Sequence, residues 1–249
     1  MSCLATVANK NAAKTCSVDL TKQITWDSML EDGKKLHAEN PDYYYLNTDT
    51  KILCEYVLRP YLRQMTGESF IIDSEKKMSF TRDQLVEVLT YIKDCYDGGV
   101  FEPAEDSATF KGQIHTNPKW MDGKFVFAYG PSSSINLLMD AVPEAECTVV
   151  QMPMAEDRVN DGFFADTPQY MTVNKNSEHV EEAVDFLNYF YNSAKAQETL
   201  KDVRSIPPTS TARQLCADKG LLNQTVVDAV DLAAGLNGKS DKGYTTSAE

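Results

Sequence analysis

The sequence predicts an α/β fold. Short apolar runs at residues 43–46, 125–129, 147–151 and 170–173 have the length and the β-branched or aromatic content of strands. Longer segments between them repeat apolar residues at helical spacing. Strands separated by long helices indicate a sheet covered by helices, and the irregular order of these strands argues against a barrel or a regular βαβ repeat.

Two helices have clear start and stop signals. Thr25 is a capping residue ahead of a helix that ends before Asn40-Pro41. Thr81 opens a second helix, which Gly98-Gly99 ends. Further helices are predicted at residues 52–65, with a kink at Pro60, and at residues 194–203, 210–219 and 223–235. Asn176 or Ser177 is expected to cap another helix, whose apolar face runs from Val180 to Phe190.

These elements suggest three parts of the chain. Residues 1–23 are polar and poorly patterned, and we expect a loop there or the tail of an element whose partners are missing. Residues 24–236 carry the strand and helix patterns of one folded unit. Residues 237–249 are rich in Gly, Ser, Lys and Thr, which predicts a flexible tail.

The charge of the chain argues against nucleic-acid binding. The 249 residues carry a formal net charge of −13, and an acidic surface repels phosphate backbones. No apolar run approaches the ~20 residues that span a bilayer. Residues 1–14 lack the charged start, apolar core and cleavage site of a signal peptide. From these residues we expect no export signal in the chain as written.

No metal ion or cofactor is expected. The six cysteines form no C-x-x-C pair, and the three histidines are isolated from one another and from the cysteines. The chain also lacks the short motifs of serine hydrolases, zinc proteases and nucleotide-binding enzymes. Ser132 follows Gly130-Pro131 in a run of three serines, for which helix capping is a simpler role than nucleophilic catalysis.

Aromatic residues point to carbohydrate as a ligand. Tyr45, Trp120, Tyr129, Phe163 and Phe164 lie at predicted strand ends or in loops, where binding sites concentrate. An aromatic ring packs against the C–H face of a sugar, while a polar group at its tip hydrogen-bonds hydroxyls. These five residues are therefore candidate ligand contacts.

Four segments, in this order, resemble the bacterial extracellular solute-binding proteins that include maltodextrin-binding proteins. Residues 24–30 (ITWDSML) are similar to the family's T-W-[DE] helix start, and residues 121–131 resemble its G-K strand and following G-P turn. Residues 173–190 look like its K-x-S helix with a later F-L pair. Residues 206–208 (IPP) are similar to its I-P crossing.

The resemblance implies a type II periplasmic-binding-protein fold, of which this chain would be the carboxy-terminal lobe with hinge segments. The first lobe would be largely missing, together with a signal and a lipid anchor. The full-length parent is then expected to be an extracytoplasmic lipoprotein that captures a small solute, here carbohydrate, between two lobes and delivers it to the permease subunits of an ABC transporter. Such proteins are not enzymes, and one lobe alone would bind weakly or not at all.

The resemblance also carries over site residues. Tyr129, Gly130 and Ser132 match the turn that contacts ligand in the family, and Phe163, Phe164 and Asp166 precede the predicted strand at residues 170–173. Sugar binders of the family often have a Trp after the G-P turn, where this chain has Ser132, which favours a smaller or differently held solute.

Two alternatives stay open from the sequence. Paired carboxylates, for example among Asp157, Asp161 and Asp166, could hydrolyse a glycosidic bond if they faced each other across a cleft. A second alternative is an interaction domain that has kept the fold and lost its ligand. An exposed apolar face would favour a missing packing partner over that adapted role.

Overall fold

The computed structural model describes residues 2–72, 74–162, 165–166, 171–203 and 206–236. The predicted tail at residues 237–249 and the candidates Phe163 and Phe164 lie outside these ranges. Within them the α/β prediction is confirmed, because a mixed sheet is surrounded by helices.

The described residues form the following strands: β1 (Ser2–Asn9), β2 (Tyr44–Asn47), β3 (Ile71–Ile72), β4 (Lys77–Met78), β5 (Phe125–Pro131), β6 (Cys147–Val150) and β7 (Ala165–Asp166). They form the following α-helices: α1 (Lys10–Thr15), α2 (Trp26–Glu39), α3 (Thr50–Ile52), α4 (Arg59–Thr66), α5 (Arg82–Asp97), α6 (Ala104–Ser107), α7 (Pro118–Met121), α8 (Ile135–Asp140), α9 (Val180–Asn192), α10 (Ala194–Leu200), α11 (Ser210–Asp218) and α12 (Gln224–Ala234).

The main sheet has the strand order β2-β5-β1-β6, and β7 pairs with the start of β1. Strand β2 runs parallel to β5, with Leu46 opposite Phe127. Strand β1 is antiparallel to both β5 and β6, so β6 runs in the same direction as β5. Strands β3 and β4 form a separate short hairpin.

Strand β1 corrects the prediction for the first 23 residues. Residues 2–9 form an inner strand of the sheet, and residues 10–15 form α1. The side chains of Val7 and Ala8 have no exposed surface. Small residues such as Ser, Ala and Thr give this strand a weak sequence pattern, and its two neighbouring strands supply the hydrogen bonds that fix it.

The helices predicted from capping signals are confirmed. Thr25 accepts a hydrogen bond from the backbone of Ser28, whose side chain bonds back to the Thr25 N–H. Thr81 and Gln84 form the same reciprocal capping box at the start of α5. The strand predicted at residues 170–173 is not confirmed, because residues 171–173 form no strand and Tyr170 is outside the described residues.

The helix predicted at residues 52–65 contains a π-helical turn at Leu53–Leu58. Pro60 lacks an N–H and its ring excludes the carbonyl of Tyr56 from a normal α-helical bond. The N–H of Arg59 instead bonds the carbonyl of Cys54, five residues earlier. The expected kink therefore takes the form of a widened turn, a feature often found at functional sites.

The main core lies around the sheet. It includes Trp26 and Met29 of α2, Cys95 of α5, Phe127 of β5 and Leu138 of α8, all of which are buried. A smaller cluster packs α12 against the start of β1 and the residues after β6, and comprises Cys3, Leu4, Met152, Met154, Val230 and Ala233.

Helix α9 stands apart from this packing. It contacts α10 and α11, yet none of its described side chains is buried. Val180 and Val184, on the apolar face of the helix, are 40% and 51% exposed, although such a face normally packs against a neighbour. We call these two side chains the α9 face.

Candidate functional site

One edge of the sheet gathers the ends of four strands. Strands β2, β5 and β6 end there, and β1 starts there because it is antiparallel to them. We call this the carboxyl edge and define it by residues 3–4, 47–49, 131–134 and 150–152. In open α/β sheets, ligands bind in the crevice outside the carboxyl ends of the strands. The carboxyl edge is therefore the candidate functional site.

Asp49 organises the end of β2. Its side chain is fully buried, one carboxylate oxygen accepts the Ile52 N–H at 2.8 Å, and the other accepts the Gly112 N–H at 2.6 Å. These bonds cap the short helix α3 and hold the loop that contains Gly112 against the strand end. Backbone N–H groups thus bind both carboxylate oxygens, and Asp49 holds the end of β2 and the Gly112 loop in place at the carboxyl edge.

Tyr56 projects from the π-helical turn that follows β2. It is half-buried, and its ring packs between the main core and the smaller cluster under α12. Its hydroxyl has no hydrogen-bond partner among the described residues. Burial, with further contributions from Glu55 and Asp49, raises the pKa of Tyr56 well above its usual range. The phenol therefore stays protonated and is available as a hydrogen-bond donor.

Ser132 follows the end of β5, and its side chain does not have the predicted role of a helix cap. It does not cap a helix with its side chain, because residues 132–134 form a 3₁₀ turn before α8 begins. Its hydroxyl instead accepts the backbone N–H of Cys3 at 3.2 Å, and its side chain is buried. Ser132 thereby fastens the end of β5 to the start of β1, while Ser133 and Ser134 remain half-buried beside it.

Cys3 lies against Ser132 at the same edge. It is 2% exposed, and its sulfur lies 3.7 Å from the Ala229 carbonyl. Burial raises the pKa of the Cys3 thiol, and the hydrogen bond with Ser132 offsets only part of this rise. The thiol therefore stays protonated at neutral pH and behaves as a small apolar group rather than a nucleophile.

Gly130 and Asp166 also come to the carboxyl edge. Gly130 pairs with Ala5 in the sheet, and an added Cβ would meet the Ser134 Cβ at 3.6 Å, an ordinary contact. Asp166 lies opposite Ser2 in the β1–β7 pair, so its backbone extends the same edge. The structure therefore brings Gly130, Ser132 and the backbone of Asp166 to the same edge of the sheet.

Three predicted aromatic contacts lie in the core instead. Tyr129 is 1% exposed with its hydroxyl directed at the Met29 sulfur, and Trp120 is fully buried with its indole N–H bonded to the Leu138 carbonyl at 2.9 Å. Tyr45 is 2% exposed and packs on Phe127. Burial removes the ring faces that a sugar would need, in the strands for Tyr45 and Tyr129 and in α7 for Trp120.

The carboxylates after β6 were candidates for glycoside hydrolysis. Among them, Asp161 pairs with Arg158 at 2.9 Å.

The described residues contain no cluster of three or more His, Cys, Asp or Glu side chains that could hold a metal ion. None of the helices in the described residues has both the length and the apolar composition needed to cross a membrane.

Sequence reasoning missed Asp49, Tyr56 and Cys3. Asp49 and Tyr56 follow a predicted strand within ten residues, which is a usable signal for a strand-end site. Cys3 had no such signal, because the strand that contains it was not predicted.

The family is decided by a match over almost the whole chain. Residues 2–232 match the sequence model for bacterial extracellular solute-binding proteins. The chain belongs to this solute-binding protein family. The resemblance carried by the four sequence segments is thus confirmed. No curated protein is significantly similar to the chain.

Solved structures agree on the solute-binding-protein fold. A periplasmic solute-binding protein from Pectobacterium atrosepticum is 20% identical with a TM-score of 0.87, over 97% of this chain and 61% of its own. A periplasmic oligogalacturonide-binding protein from Yersinia enterocolitica, in complex with saturated digalacturonic acid, is 23% identical with a TM-score of 0.85, over 96% and 60%.

A de novo designed cysteine esterase also matches, at 22% identity and a TM-score of 0.82, over 100% of this chain and 62% of its own. At these identities the likeness shows the fold alone. The chain spans about three-fifths of the length of these structures.

Proposed function

We propose that the chain is part of the solute-binding component of an ABC importer and holds one side of a carbohydrate site at its carboxyl edge. Family membership supports a capture-and-delivery role, and the convergence of three strand ends with the start of β1 supports the location. The partners are then a small solute and the permease subunits, and the full-length protein acts outside the cytoplasm, where a lipid anchor holds it to the membrane.

The polar groups of the edge suit a neutral, hydroxyl-rich solute. Tyr56 offers a protonated hydroxyl with no described partner, and Ser133 and Ser134 are half-buried at the end of β5. A sugar uses such donors and acceptors together with backbone groups. The Yersinia protein, by its name, binds an oligogalacturonide, which makes saccharides the first ligands to test.

We propose that this chain is a carboxy-terminal lobe with hinge segments, and that a first lobe covers the α9 face. An amphipathic helix with no buried side chain lacks the partner that its pattern requires. The part of the solved relatives that this chain does not cover is long enough to form such a lobe. The exposed face favours a missing partner over an adapted interaction domain. Because β1 is an inner strand of the main sheet, the proposed lobe with its return segments comprises residues 2–236 rather than 24–236.

A second lobe would supply the opposite wall of the cleft and close on the solute by a hinge motion. With only one wall, the chain makes about half of the contacts with the ligand. The loss of ligand freedom on binding opposes association as before, so the affinity falls. We therefore expect a Kd of about 1 mM or weaker for the isolated chain, against ~1 μM for an ordinary two-sided site.

The test is a thermal-shift screen of the 249-residue chain against neutral and acidic mono- and oligosaccharides, followed by chromatography of the sugar. A ligand at ten times its Kd raises the unfolding free energy by about 1.4 kcal/mol. We expect a shift with one saccharide class, a smaller shift for Tyr56→Phe, and an unchanged shift for the exposed control Tyr189→Phe.

The sugar should be recovered intact. Cleavage of the glycosidic bond by the chain would contradict the proposal and support a hydrolase. Equal shifts in the chain and in Tyr56→Phe would remove Tyr56 from the site.

A further inference from the structure

A second recess lies away from the carboxyl edge, between α2 and the connection at residues 16–24. It has a volume of about 200 Å³, with Cys16, Val18, Leu36 and Tyr45 among the residues that line it. We call it the α2 pocket. Its volume is below the ~300–1,000 Å³ that drug-sized ligands occupy, so it fits a molecule of about one ring.

Tyr45 gives this pocket an unsatisfied donor. The ring packs on Phe127 with centres 4.9 Å apart, and the side chain is 2% exposed. Its hydroxyl has no hydrogen-bond partner among the described residues. The oxygen keeps some surface accessible to solvent, and Tyr45 lines the α2 pocket. A bound acceptor oxygen in the pocket would replace water at this donor.

Burial, with a smaller contribution from Asp32, raises the pKa of Tyr45 well above its usual range. The hydroxyl is therefore a donor at any physiological pH. A ligand that it recognises must offer an oxygen or nitrogen acceptor at the floor of the pocket, which excludes a purely hydrocarbon ligand.

The rim carries both signs of charge. Asp32 and Glu39 lie one above and one below Lys35 along α2, and on the facing connection Lys22 lies 3.8 Å from Asp19. These side chains are exposed or at the mouth, so their attraction for a charged ligand is screened. Together they offer several acceptors and donors with little net charge, a combination that matches neutral hydroxyl groups.

We infer that the α2 pocket binds one neutral polyhydroxylated ring, of the size of a monosaccharide, through the Tyr45 hydroxyl. This site is separate from the carboxyl edge and does not depend on a second lobe, because both of its walls belong to this chain. Its apolar floor contacts the ring carbons, and its rim contacts the outer hydroxyls.

The test is an amide-resolved NMR titration of the 249-residue chain with glucose, galactose, xylose and glycerol. We expect saturable shifts at residues 16–24 and 28–39 with one of the sugars. Tyr45→Phe keeps the ring and removes the hydroxyl, and it should weaken binding about three- to tenfold, the value of one hydrogen bond. Tyr61→Phe is the matched control, because that half-buried tyrosine does not line the pocket.

A second variant, Asp32→Asn, alters the rim without touching the core, and it should also weaken binding. Absence of saturable shifts at residues 16–24 and 28–39, or equal affinity in the chain and in Tyr45→Phe, would overturn the inference. Shifts confined to residues 47–49 and 131–134 would overturn it too, while leaving the carboxyl-edge proposal intact.

Discussion

The indole N–H of Trp26 donates a 2.7 Å hydrogen bond to the side-chain oxygen of Gln64, and both residues are buried. The same oxygen accepts the Ala155 N–H at 2.7 Å, and the Gln64 amide nitrogen donates to the carbonyls of Pro153 and Asp161. One side chain thus ties α2 and α4 to the segment that leaves the carboxyl edge after β6.

Replacing this side chain should be costly. Gln64→Leu keeps the volume and leaves the Trp26 N–H, the Ala155 N–H and two carbonyls without partners. We expect a loss of about 3 kcal/mol in the free energy of unfolding, measured by urea denaturation. The exposed control Gln214→Leu, which loses only a helix-surface bond to Asp218, should cost less than about 0.5 kcal/mol. Similar losses in the two variants would refute this role for Gln64.

Alkaline pH should destabilise the fold through Cys95. Burial raises the pKa of its thiol from 9.0 to about 12. Between these values the unfolded chain releases the proton and the folded chain keeps it, so stability falls as pH rises above about 9, by at most about 1.4 kcal/mol per pH unit for this group. Cys95→Ala should be less stable at neutral pH because of its cavity, but its stability should fall less steeply with pH.

The measurement is the urea midpoint at several pH values above 8. Cys147→Ala should flatten the curve over a narrower range, because burial raises the pKa of the Cys147 thiol only to about 11. Parallel curves for the unmodified chain and both variants would contradict this linkage.

Gly99 is required by both its backbone angle and its surroundings. Its φ is +68°, and an added Cβ would lie 2.1 Å from the Cδ2 atom of His37. Gly220 has a similar φ of +59° but no atom within 4 Å of an added Cβ. Gly220→Ala should cost about 1 kcal/mol for the backbone alone, and Gly99→Ala should cost about 2 kcal/mol more for the clash. Equal costs by urea denaturation would mean that His37 moves aside freely.

The α9 face should contribute little to the stability of the isolated chain. Val184 is 51% exposed, so Val184→Ala should change the unfolding free energy by less than about 0.5 kcal/mol and reduce binding of a hydrophobic dye. Phe127→Ala in the core should cost about 3–5 kcal/mol. A large loss from Val184→Ala would mean that the α9 face is already packed, which would contradict the proposed role of a first lobe.

Local signals made much of the fold predictable. The capping boxes at Thr25 and Thr81 and the apolar run of β5 act over a few residues, so the sequence shows them directly. Strand β1 escaped prediction because its small residues become a strand only when β5 and β6 pair with it. That pairing joins residues more than a hundred positions apart.

The site was less predictable for the same reason. Ser132 was identified from a turn motif, but the aromatic criterion selected Trp120 and Tyr129, which are buried. Whether a ring faces a ligand or the core depends on which elements pack over it, and that is decided by tertiary packing. Tyr56 combines a half-buried ring with an unpartnered hydroxyl, and neither property is visible in the sequence.

The most direct test of the account is an amide-resolved NMR titration of the 249-residue chain with the oligosaccharide that gives the largest thermal shift. A chain of several sugar rings is too long for the α2 pocket, so it reports on the carboxyl edge. We predict the largest shifts at residues 47–49, 54–56 and 131–134, with no change in the sugar itself. Binding confined to other surfaces, or cleavage of the sugar, would contradict a capture site at the carboxyl edge.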